Sequence, residues 1–220
     1  MYEGIEDIYQ LLDAGRLKEA LIQLQGIGMQ TNQWTLRNQI ENTLTAYGYM
    51  LQYAGEGMDD PNRKSFYQQT LRTAYELTDA TNIALLSLKT SAMYYDRIRT
   101  FAIQPTKSYS ELQMQLETFT EDVSTAPLLY HEEKRLKAEM EKIYQSHESA
   151  LSELFDKTWV TSFWTDNEAK EAMEILQSML VSTQDLAVMV SAVTLSLLRV
   201  FDHKKFNFLL EAYKHEALQV

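Results

Sequence analysis

The chain has no cysteine in its 220 residues. Disulfides, thiolate metal sites, iron–sulfur clusters and cysteine nucleophiles are therefore excluded. Glycine and proline are scarce, at seven and three residues. A fold of many short strands needs more turn residues than that, so long uninterrupted helices are expected. Positive charge is short too: 20 Lys and Arg against 31 Asp and Glu leave a formal charge of −11. Such a surface repels nucleic-acid phosphates and acidic membranes unless basic residues cluster locally. The densest basic runs are Arg63-Lys64, Lys134-Arg135 with Lys137, and Lys204-Lys205, all short and the second interleaved with glutamates. Neither nucleic acid nor membrane is an expected partner. The longest apolar run, Leu186 to Phe201, is sixteen residues and contains Arg199, whereas a membrane helix needs about 20. The N-terminus, Met1 to Asp7, is acidic and lacks the layout of a signal peptide, which makes the cytoplasm the expected compartment.

Catalytic and metal-binding patterns are missing as well. No histidine follows a glutamate at the Glu-x-x-His spacing of di-iron bundles. Gly26-Ile27-Gly28 and Gly55-Glu56-Gly57 lack the strand before and the Lys-Ser/Thr after that a phosphate loop requires. No Gly-x-Ser-x-Gly occurs. Glu56, Asp59 and Asp60 make too short a ligand pattern for calcium. Glu211, His215 and Glu216 read as an exposed helix pair with an acidic neighbour, and His147, on an apolar stripe, as a satisfied histidine. The expectation is a non-enzyme with no catalytic residue, no metal and no cofactor.

What is present is helical periodicity. Ile5, Ile8, Tyr9 and Leu12 fall on one face of a helix over 2–14, which Gly15 ends. Leu17, Ala20, Leu21 and Leu24 make a second, with Gly26 and Gly28 opening a loop. A third runs from about Thr31 to Tyr53 and stops at Gly55 and Gly57. Asp60-Pro61 reads as the cap and first-turn proline of a fourth that ends near Thr78. Residues 79–82 read as a turn, 83–101 as a helix and 102–107 as a loop. Ser108 and Glu111 form a capping box, as do Thr165 and Glu168. Pro127 is expected to open the longest segment, one helix of nearly thirty residues or two with a bend. Trp159, Phe163 and Trp164 follow as an anchor where the path turns. Ser182 caps the apolar run through Phe201, with Asp185 bonding back and Val181 and Leu186 as a hydrophobic staple. Being apolar all round, this helix is expected to be buried on both sides. Asp202 caps the last helix, whose face is Phe206, Leu209, Leu210 and Tyr213.

About ten helices with short connections make an all-α fold. Antiparallel hairpins in series stack into an α-α superhelix, or solenoid. The run Leu12 to Leu21, with Gly15 and Ala20-Leu21, resembles the turn of a tetratricopeptide repeat, although the 34-residue pattern does not recur. The stretch Val190 to Leu198, followed by Phe201-Asp202 and Lys205, resembles a group of bacterial tetratricopeptide/HEAT-like repeat proteins of unassigned function. That resemblance implies repeats over 1–158 continued by a HEAT-like repeat over 159–220, no catalytic residues, and a natural chain continuing past Val220.

Stacked hairpins leave a concave face. Tyrosine and arginine favour interfaces, which singles out Tyr47, Tyr94, Tyr95 and Arg97 as residues for a protein or peptide partner. Overall acidity favours a basic or neutral partner segment. Two other readings remain: an accessory domain of a larger enzyme or regulator, and a small-ligand sensor. The apolar helix yields a first prediction. Val193→Asp places an unpaired charge in the interior and is expected to unfold the C-terminal third, seen as loss of a cooperative thermal transition; unchanged thermal stability would show that the helix is not buried there.

Overall fold

The computed structural model describes residues 1–57, 60–103, 106–215 and 218. Among them are ten helices and no strand: α1 (Ile5–Asp13), α2 (Leu17–Gly28), α3 (Trp34–Gly55), α4 (Arg63–Lys89), α5 (Met93–Ile103), α6 (Tyr109–Leu129), α7 (Glu133–Val160), α8 (Asp166–Gln177), α9 (Thr183–Leu197) and α10 (His203–Lys214). They form two compact units, Met1–Asp96 and Arg97–Val220, with the boundary inside α5. None of these helices is long and apolar enough to cross a membrane.

In the first unit α1, α2 and α3 pack in sequence, and α4 packs against all three. The core is aliphatic: Ile5, Ile8, Leu12, Leu17, Leu21, Leu24 and Ile40 are fully buried. Gly15 turns the chain between α1 and α2 at a φ of +72, a left-handed conformation that favours glycine. The loop expected at Gly26 and Gly28 is helical instead, since both lie in α2. Gly28 serves packing: a Cβ there would sit 2.8 Å from Ile40 Cδ1 on α3.

The turn expected at 79–82 is also helical, and α4 runs through it. Every polar group of that stretch has a partner. Thr78 and Thr81, both buried, donate to the carbonyls of Ala74 and Leu77 at 2.7 Å. Asp79 accepts from the Tyr9 hydroxyl, and Asn82 Oδ1 accepts the Tyr2 amide at 2.9 Å. Tertiary bonds override a composition that favours turns in isolation. Pro61 is not the first-turn proline either: α4 starts at Arg63, and Asp60 Oδ1 accepts the Asn62 amide at 2.8 Å.

In the second unit α6 packs on α7 and α8, α9 on α7 and α10, and α8 on α10. Both expected capping boxes form, at Ser108/Glu111 and Thr165/Glu168, and Asp202 caps α10. Pro127 lies inside α6, near its end, and does not open the next helix. The break falls at 130–132, and α7 is one helix of 28 residues. The expected loop at 102–107 is shortened by α5 reaching Ile103 and falls partly outside the described residues. The chain end at Glu216, Ala217, Gln219 and Val220, and Asp59 of the acidic loop, also lie outside them.

Helix α9 is not buried on both sides. Leu186, Met189, Val193 and Ser196 face inward, while Ala187, Ser191, Thr194, Leu195 and Leu198 face solvent. Ala187, Ser191 and Thr194 make most of that outer side tolerable in water, while Leu195 and Leu198 leave apolar surface at its end. Val181 and Leu186 are buried as a staple requires. Ser182 accepts the Asp185 amide at 3.1 Å, but the Asp185 carboxylate does not bond back. It meets His147 Nε2 of α7 at 3.0 Å instead, because Asp185 is buried where the two helices pack.

The second unit is pinned by Lys205, which sequence placed in a surface basic run. It is 0% exposed. Its ammonium donates to the Thr158 carbonyl at 3.0 Å, to the Thr161 carbonyl, and to Ser196 Oγ at 2.6 Å. These carbonyls end α7, where no intrahelical donor remains, and a cation complements the helix dipole there. Trp164 lies beside it, 5.3 Å from the ammonium to the ring centroid. Burial pushes the ammonium down to about 8, partly opposed by Asp202 and Glu168.

A group whose folded pKa is depressed in this direction costs stability while it stays charged, and the cost lifts where only the unfolded chain remains protonated. Stability should therefore rise from about pH 8 toward the ordinary lysine range. The comparison belongs below pH 10, where tyrosines do not yet titrate. Lys205→Met, which orphans two carbonyls, is expected to lower stability by about 2–4 kcal/mol and to abolish the rise between pH 8 and 9.5. Chemical denaturation across that range tests both; a variant keeping the same slope would contradict the assignment.

Candidate functional site

The α3–α4 hairpin of the first unit carries an apolar groove on each side of its loop end. On one side Tyr47, Met50, Leu51 and Ala54 of α3 face Pro61, Lys64 and Tyr67, enclosing a 490 Å³ cleft. On the other, Ala46, Tyr49 and Tyr53 face Phe66 around 220 Å³. Met50, Ala54, Asp60 and Arg63 line both. Helical phase decides which tyrosine does what. Tyr47 follows Ile40 by seven residues and is buried with it. Tyr49 and Tyr53 fall on the outer arc and are exposed. Tyr47 and Tyr67 rings sit 6.3 Å apart, and burial, then Tyr67, raises the Tyr47 phenol above its ordinary pKa.

The charge at this groove runs against that of the chain. The first turn of α4 holds no acidic residue and carries Arg63 and Lys64, at the end where the helix dipole is already positive. Asp60 is the carboxylate lining both clefts, and it is engaged by the Asn62 amide.

Tyr94, Tyr95 and Arg97 share α5. Tyr94 is buried, and its ring meets that of Tyr95 edge-on at 5.2 Å. Tyr94 and Tyr95 belong to the first unit and Arg97 to the second. Arg97 pairs with Asp156 at 3.4 Å on the wall of an open 640 Å³ cleft, shared with Thr100, Phe101, Lys107, Ser149 and Glu153. Lys107 closes on Glu153 at 3.0 Å. The cations of this cleft are thus matched by its own carboxylates. Burial raises the Asp156 carboxyl above its ordinary range and Arg97 opposes that shift.

His147 is structural, but the expected Glu211–His215 pair does not form: His215 lies just past α10, its Nδ1 buried with no hydrogen-bond partner. His147 is held by Asp185, with Phe119 stacked on its ring at 3.9 Å. Glu211 pairs with Lys214 at 2.7 Å, and Glu216 lies outside the described residues. Among the described residues no cluster of three His, Asp or Glu could hold a metal ion.

Sequence reasoning singled out Tyr47 but missed Met50, Lys64 and Tyr67, its companions in the groove. The signal was available in phase, because Tyr47, Met50, Leu51 and Ala54 recur at helical spacing. Compared with known proteins, the chain matches no family, no curated protein and no solved structure.

The Arg97–Asp156 pair yields a prediction with opposed signs. Arg97→Ala leaves a desolvated carboxylate behind and should lower stability at pH 7, by no more than about 1 kcal/mol since the arginine is half-exposed. Asp156→Asn removes the desolvated charge and should be neutral or stabilising. Because the folded carboxyl lies above its unfolded value, the pair's cost appears as pH rises through the acid range, so the Asn variant should gain on wild type from about pH 4 upward. Thermal midpoints at several pH values read both.

Proposed function

We propose that this chain is a non-catalytic helical scaffold of the α-α superhelix kind, resembling tetratricopeptide/HEAT-like proteins, that binds a protein or peptide at the α3–α4 groove. The observation that carries this reading is the groove itself: tyrosine and methionine walls on a helical hairpin, with Lys64 at one end. Methionine adapts its shape to varied apolar partners, and tyrosine offers contact area while losing little side-chain freedom.

The groove favours an amphipathic segment with apolar anchors and an adjacent acidic residue. The chain's overall charge points toward basic or neutral partners, but it acts at long range and is screened beyond ~8 Å in physiological salt. At contact distance Lys64 and the start of α4 decide the sign. Apolar anchors would lie against Met50 and Ala54, which line both clefts, with Tyr53 on one side and Tyr67 on the other, and the carboxylate would meet Lys64 and the first-turn amides.

Tyr47 and Tyr94 are both buried, so replacing them mixes binding with stability. The exposed Tyr53 and Lys64 make the cleaner test. Peptides selected from a random display library against the whole chain are expected to be enriched in aromatic or leucine anchors next to Asp or Glu. Their affinity should fall at least about tenfold with Tyr53→Asp or Lys64→Glu, with the thermal midpoint unchanged. Binders without acidic residues, or indifferent to both substitutions, would contradict the reading.

A further inference from the structure

The second unit carries an apolar surface that its own packing does not use. Helix α10 is apolar on two sides. Phe208 and Ala212 face the core together with Lys205, while Phe206, Leu210 and Tyr213, at i, i+4 and i+7, share a solvent-facing side. The strip continues around the α9–α10 turn. Phe201 and Phe206 rings sit 5.9 Å apart, and Leu195 and Leu198 extend it along the end of α9. Leu198 is 76% exposed, Phe201 63% and Tyr213 79%.

Each of these three burdens a lone molecule. Taking roughly 150–250 Å² for a large side chain, the six residues, 40–79% exposed, present on the order of 500–900 Å². The largest apolar patch of a typical monomer is about 300–600 Å², whereas a standard interface takes about 800 Å² from each partner. We propose that this α9–α10 face is an interface between two copies of the chain, paired about a two-fold axis.

The upper part of that range reaches one side of a stable dimer, and an apolar strip can meet the same strip of a second copy in an isologous contact. Three of the six residues are aromatic, the composition of an interface core. Part of the charge beside the strip is already paired within one copy. Glu211 and Lys214 at the strip's edge neutralise each other at 2.7 Å, and Lys204 is tied to Asp166 at 2.6 Å.

Sedimentation of the whole chain over a concentration series to the high micromolar range tests this. The wild type is expected to reach twice its 25.5 kDa chain mass. Leu198→Glu and Phe206→Glu should each raise the dimer dissociation constant at least about tenfold. Leu198 is largely in solvent, so its variant should keep the wild-type circular dichroism and thermal midpoint. Tyr53→Asp, in the groove, should leave the dimer constant unchanged, which separates this proposal from the binding reading. A wild type that stays monomeric throughout, or a dimer that Leu198→Glu does not weaken, would overturn it.

Discussion

One buried ammonium organises the second unit. Taking a lysine out of water costs several kcal/mol, and nothing aliphatic repays that. Lys205 is tolerated because its three donors all find oxygen, two of them carbonyls at the end of α7. Charge-assisted bonds contribute about 1.5–3 kcal/mol each, enough to offset desolvation but not to exceed it greatly. A depressed pKa with the amine still charged at neutral pH is what that balance produces.

The same corner is tied by neighbours. Asp202 accepts the Trp164 amide at 2.9 Å with one oxygen and the Lys204 amide at 3.0 Å with the other. Trp164 donates its indole proton to Tyr109 at 2.8 Å, reaching α6. The exit of α7, the entry of α10 and the first turn of α6 thus meet in one polar knot inside an apolar cluster. The first unit does this with hydroxyls, an amide and a carboxylate instead, through Tyr2–Asn82, Tyr9–Asp79 and the threonines of α4. Buried polar networks of this kind fix one packing among the several that apolar faces alone would allow.

Features whose cause is local were legible in the sequence. The caps at Ser108, Thr165 and Asp202 depend on residues two or three positions away, and they form as read. The polar stretch 79–82 was misread because its partners lie 70 and 80 residues earlier. Gly28 was misread because its reason is Ile40, on another helix. Lys205 looked like surface charge because only the folded chain brings α7's carbonyls to it. In the candidate site, the tyrosine content was legible, but which tyrosines face a groove is a matter of helical phase together with the loop that returns Arg63 and Lys64 to it.

The account's central claim is that the Lys205–Asp202–Trp164 knot holds the second unit as one cooperative body. Native-state hydrogen exchange of the Trp164 amide tests it most directly. If the claim holds, that amide exchanges only through the unfolding of the whole unit, with the same free energy and denaturant dependence as the core of α7. Exchange through a local opening, insensitive to denaturant and faster than that of α7, would contradict it.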